Sequence, residues 1–135
     1  MLRILSALAG LILLTGLSEP DQYAAGQIWE YRTRPADTGS LLKIQRVEQD
    51  AILGPIYHVS VIGLRLRNQE MDPVLAHTPV SRETLDASVT RLSDKTSTFP
   101  DSEPGIAQWR EARGGVFTIP VAEIIEIIDR QTSGG

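Results

Sequence analysis

Ile56-Tyr57-His58-Val59-Ser60-Val61-Ile62-Gly63-Leu64-Arg65-Leu66-Arg67 is the stretch whose pattern decides the fold. It is rich in β-branched and aromatic residues, and its apolar positions recur with period two, the mark of a strand with one buried face. The parity changes partway: Tyr57, Val59 and Val61 share one face, whereas Ile62, Leu64 and Leu66 fall on the other register. A period-two ribbon cannot keep both sets on one side. Gly63 stands at the change, so a bulge or sharp twist is expected there.

Upstream, residues 27–34 alternate aromatic, β-branched and polar side chains and predict a first strand, closed by the turn chemistry of Pro35-Ala36-Asp37-Thr38-Gly39. Residues 40–48 predict a second strand, with Leu42, Ile44 and Arg46 on one face and Leu41 and Val47 on the other, before Gly54-Pro55 breaks the chain. Three strands joined by short connections imply an antiparallel meander.

Downstream the pattern turns helical. Ser81 is a good N-cap, Val80 can staple onto Leu85, and Leu85, Val89 and Leu92 form one apolar stripe. Ser102 can cap a second helix, with Ile106 and Trp109 inward and Gly114-Gly115 at its end. Residues 116–119 fit a fourth short strand. After Pro120, Val121, Ile124, Ile125 and Ile128 form a helix face, with Glu123, Glu126 and Asp129 outward. The expected fold class is therefore α+β: a three-stranded antiparallel meander, with room for a fourth short strand, packed on two or three short helices.

The chain has 135 residues, enough for one modest core, with 41% hydrophobic and 22% charged residues. It has no cysteine, which excludes disulfides and thiol chemistry, and its net charge of −4 argues against nucleic acid as a partner. Arg3, then the uncharged run 4–17, then Gly16-Leu17-Ser18 with small residues at −3 and −1, has the layout of a secretory signal. The run is shorter than the ~20 residues of a membrane-spanning helix. The expected organisation is a signal over 1–18, a linker over 19–26, one domain over 27–129 and a flexible tail over 130–135. The product would be periplasmic or secreted, with no stable membrane insertion after signal cleavage.

Few residues suggest chemistry. Ser40-Leu41-Leu42-Lys43 matches S-x-x-K, but on a strand serine and lysine three apart point to opposite faces. His58 alternates along a strand as a surface or rim histidine would, and His77 lies in an expected loop before Pro79. A metal site would need both to converge with a carboxylate such as Glu70 or Asp72. A nucleophile pair would join His77 to Thr78 or Ser81. Neither pattern stands out, so no catalytic residue, metal or cofactor is expected. The basic residues are more informative. In a meander the first and third strands run the same way, bringing Arg32 and Arg34 to the edge that holds Arg65 and Arg67, with Lys43 on the strand between. These five form the candidate binding site. The bland alternative is a solvated edge neutralised by Glu30, Asp37, Glu70 and Asp72.

Gly26-Gln27-x-Trp29-x-Tyr31-x-Thr33-Arg34, His58-Val59-Ser60, His77-x-Pro79-x-Ser81 and Gly115-Val116-Phe117-Thr118 together resemble a group of short uncharacterised bacterial exported proteins. That resemblance implies a single domain and no activity. The function expected is a non-enzymatic exported domain binding a protein or anionic envelope partner. The rivals are a small periplasmic hydrolase or metal-dependent enzyme around His77, and an immunity or inhibitor protein. The oligomeric state stays open.

Overall fold

The computed structural model describes residues 22–134; the expected signal segment lies outside them. The protein is α+β. Its strands are β1 (Ile28–Tyr31), β2 (Leu41–Asp50), β3 (Gly54–Ile62), β4 (Leu75–Val80) and β5 (Val89–Leu92), and its helices α1 (Arg82–Ser88), α2 (Glu103–Glu111) and α3 (Val121–Thr132). The sheet has the order β4-β3-β2-β1-β5, antiparallel throughout. The meander thus forms as expected and is extended by one strand on each side.

The added strands correct two readings. Residues 89–92 are not the end of a helix. Ser88 closes α1, its Oγ donating to the Thr84 carbonyl and accepting from the Val121 N–H, and the β-branched Val89 and Thr90 then join β1. Leu92 is consequently exposed, while Leu85 lies in the core. His77 is in a strand, β4, rather than a loop. Among the described residues the outer edge of β4 meets a single parallel bridge, Val80 to Phe117, where a fourth strand over 116–119 is expected.

β3 ends at Ile62, and Gly63 takes a φ of +75°, so the parity change is a turn out of the sheet. An irregularity that periodicity could not show lies in β2. The register shifts between Ile44 and Arg46, so Leu42, Ile44 and Val47 all reach one core while Arg46 and Glu48 stand on the opposite face beside His58.

Both faces of the sheet are covered. On one, Trp29, Tyr31, Leu42, Ile44, Tyr57, Val59 and Val61 pack against Leu85 of α1 and Val121, Ile124 and Ile125 of α3. Tyr23, inside the expected linker, is buried in the same core with its ring edge-on to Trp29 and Tyr57. On the other face, α2 lies across β3 and β4 through Ile106 and Trp109. Residues 93–102 pass over the remaining part, where Pro100 accepts from Gln45 Nε2.

Ser81 caps α1 by accepting from the Thr84 N–H, as expected. Ser102 makes no such bond; Asp101 Oδ1 takes the Glu103 N–H instead. Helix α3 continues to Thr132, into the expected tail, and Asn68 Nδ2 donates to the Thr132 carbonyl. Among the described residues no helix is long and apolar enough to cross a membrane.

Candidate functional site

The bulge in β2 and the cover of α2 assemble a buried polar chain. His58 on β3 is fully buried, not a rim residue, and both ring nitrogens are engaged. Its Nε2 is 2.5 Å from Glu48 Oε1 and its Nδ1 is 2.8 Å from His77 Nε2. An ionised Glu48 only accepts, so His58 carries its proton on Nε2 and accepts at Nδ1 from the His77 Nε2–H. Arg110 of α2 closes the other end, its guanidinium 3.2–3.3 Å from both Glu48 oxygens. Arg46, directly opposite His58, pairs with Glu103.

Trp109 ties this chain to the surface. Its ring stands edge-on to His58 at 4.9 Å, and its Nε1–H donates to the Gly115 carbonyl at 2.8 Å. Gly114 leaves the space the indole occupies: a Cβ there would lie 2.3 Å from Trp109 Cδ1. Gly105 likewise lets α2 approach His77. Beyond Trp109 opens a cleft of about 570 Å³ between the tip of the β2–β3 hairpin and the C-terminal end of α2. Glu48, Asp50, Ile52, Leu53, Trp109, Arg110 and Arg113 line it, with Gly114 and Gly115.

The hairpin tip is hydrogen-bonded and apolar. Asp50 Oδ1 accepts the N–H groups of Ile52 and Leu53, both at 2.8 Å, and Gly54 takes the left-handed φ of +78°. Those two N–H bonds hold the Asp50 carboxyl below its usual range. Ile52 is 93% exposed and Leu53 41% exposed. Arg113 has a φ of +52°, the one positive value outside glycine among the described residues, and it has no ion pair there.

The charge states follow from these contacts. Burial disfavours the Glu48 carboxylate, but the His58 and Arg110 hydrogen bonds outweigh it and keep its pKa low. Burial lowers His58 despite the opposing pull of Glu48, and burial with the neighbouring His58 pushes His77 down to about 4. The site is thus a carboxylate salt-bridged to arginine and backed by two neutral imidazoles. With Glu48 and Asp50 both held low, neither is a proton donor at neutral pH. Among the described residues no serine or threonine hydroxyl meets the histidine pair: Thr78 projects to the opposite face, and Ser81 Oγ caps α1. Ser40 is occupied as well, by Tyr31 and the Ile62 carbonyl. Among the described residues no three His, Asp or Glu side chains are disposed to hold a metal.

The five expected basic residues divide. Arg34 and the 65–67 segment do meet, since Arg34 donates to the Arg65 carbonyl at 3.1 Å. The meeting point is neutralised internally. Arg34 binds Asp37 through Nε and Nη2 and reaches Asp129 at 2.7 Å and Glu126 at 3.0 Å, while Arg67 contacts the same Glu126 and Asp129. The Asp37 bonds come first among the effects that raise the Arg34 pKa. Burial works against the Asp129 carboxylate, and the Arg34 and Arg67 bonds override it. Asp129 is therefore buried rather than outward. Arg32 donates to the Ala87 carbonyl, Lys43 lies over the Phe99 ring at 5.8 Å on the other face, and Arg65 is exposed.

Sequence reading missed Glu48, Ile52, Leu53 and Arg110 as site residues. One signal was available: Ile52 and Leu53 are apolar residues between Asp50 and Gly54-Pro55, where a turn normally carries polar ones. No family model, curated protein or solved structure matches the chain.

Proposed function

We propose that this chain is an exported, non-enzymatic binding domain that takes an apolar segment of a protein partner into the cleft between the hairpin tip and α2. The observation that carries the reading is Ile52: a β-branched apolar side chain, 93% exposed, fixed on a hydrogen-bonded turn beside Leu53 and Trp109. Apolar groups fixed on a hydrogen-bonded turn, next to an aromatic wall and to Arg113, which has no ion pair among the described residues, are the ingredients of an interface hot spot, since they bury area without ordering a flexible loop. Export rests on the signal-like layout of residues 1–18. The arginine edge does not enter this reading, because Arg34 and Arg67 are engaged by Asp37, Glu126 and Asp129. The histidine chain does not carry an enzymatic reading, since among the described residues no nucleophile is bonded to it.

The test is site-specific photocrosslinking in cells producing the full chain. A crosslinker in place of Ile52 or Arg113 should capture the same partner, and one in place of Arg91 on β5 should not. Equal capture from all three positions would contradict the reading.

A further inference from the structure

We propose that the cleft is proton-gated: uptake of a proton by the His58–His77 pair draws Glu48 away from Arg110, loosens the Trp109 wall and lowers occupancy of the site. The regulation rests on the docking reading above.

The argument is geometric. Two of the residues that line the cleft touch the histidine pair, Glu48 by a hydrogen bond and Trp109 by its ring edge, and a third, Arg110, holds Glu48. Glu48 serves two partners unequally, with His58 at 2.5 Å and Arg110 at 3.2–3.3 Å. The charged groups facing the pair are Glu48 and Arg46 from β2 and Arg110 from α2, with Glu103 of α2 neutralising Arg46. His77 faces from β4, and Gly105 and Trp109 of α2 bring no charge. An imidazolium formed there meets two cations and a single carboxylate already shared with one of them. It strengthens its own hold on Glu48 at the expense of the longer Arg110 bonds. Burial, which keeps both rings neutral at pH 7, places the switch on the acidic side of the ordinary histidine range. Arg110 sits in the last turn of α2, next to Trp109, so weakening its tether frees the helix end that forms one wall.

The experiment follows the histidine ring nitrogens and the Trp109 indole N–H of the full chain by NMR from pH 8 to 4. In parallel, the Ile52 crosslink is measured at pH 7.5 and 4. The two rings should titrate together at acidic pH, with the indole signal moving at the same midpoint. Crosslink yield should fall to about half at pH 4, where a ring held down to about 4 is half protonated. His58→Phe, which removes the ring that grips Glu48, should abolish the fall; His58→Gln, which can still donate to Glu48 but does not titrate, serves if phenylalanine does not fold. An indole signal unmoved through the histidine step, or equal yield at both pH values, overturns the gate and leaves docking intact. An indole that follows the histidines while no product forms at any pH upholds the coupling and overturns docking alone.

Discussion

His77 Nε2 stands 2.8 Å from His58 Nδ1, so two neutral imidazoles share one hydrogen bond inside the interface between the sheet and α2. An unfolded histidine titrates near ~6.5, whereas His77 in the fold is held down to about 4 and His58 is lowered too. Between those values the unfolded chain binds more protons than the folded one. Stability is therefore full above ~6.5 and declines as the pH falls toward about 4. Urea midpoints at pH 7.5 and 5 should differ in wild type and differ less in His77→Phe, where only His58 remains to be kept neutral. A wild-type midpoint that holds constant over this window would show that the pair is not kept neutral by the fold.

The glycines after α2 give a paired test. Gly114→Ala places a Cβ against the Trp109 ring and should destabilise by ~1–3 kcal/mol, the usual cost of overpacking. Gly115→Ala meets no atom within 4 Å and should stay within about 0.5 kcal/mol. Equal effects in thermal unfolding would mean the indole does not lie on Gly114.

Arg34 holds the end of the sheet to α3. Arg34→Ala leaves buried Asp37 and Asp129 without their main cation and should cost ~3–5 kcal/mol. Arg65→Glu, at an exposed side chain, should change stability by no more than about 0.5 kcal/mol. Denaturant unfolding of the two variants reads the contrast directly, and similar midpoints would refute the network.

Leu85→Ala should destabilise by ~2–5 kcal/mol, because the side chain is fully buried between the sheet and α3. Leu92→Ala should be nearly silent, since β5 leaves that side chain half in solvent. Were Leu92 as costly as Leu85, residues 89–92 would have to continue the α1 stripe.

That last contrast shows where sequence reasoning stopped. Spacing of Leu85, Val89 and Leu92 suits a helix face as well as a helix followed by a strand. What decides is Ser88, whose hydroxyl is shared between Thr84 and the first residue of α3, a contact across 33 positions of chain. The meander was legible because alternation is local. The Glu48–His58 pair was not, because it depends on a register shift at Gln45 that moves Arg46 and Glu48 to the other face. Asp129 looked outward for a similar reason: its partner Arg34 lies 95 residues away and no periodicity connects them.

The central claim is that the hairpin-tip cleft, rather than the arginine edge, receives the partner. The most direct measurement compares partner recovery by wild type, by Ile52→Glu with Leu53→Glu, and by Arg65→Glu, each first shown to unfold cooperatively with an unchanged midpoint. Both tip residues are exposed, so the fold should tolerate the pair. The account predicts that the tip variant loses the partner that wild type retains while Arg65→Glu keeps it. Loss with Arg65→Glu and retention by the tip variant would contradict it.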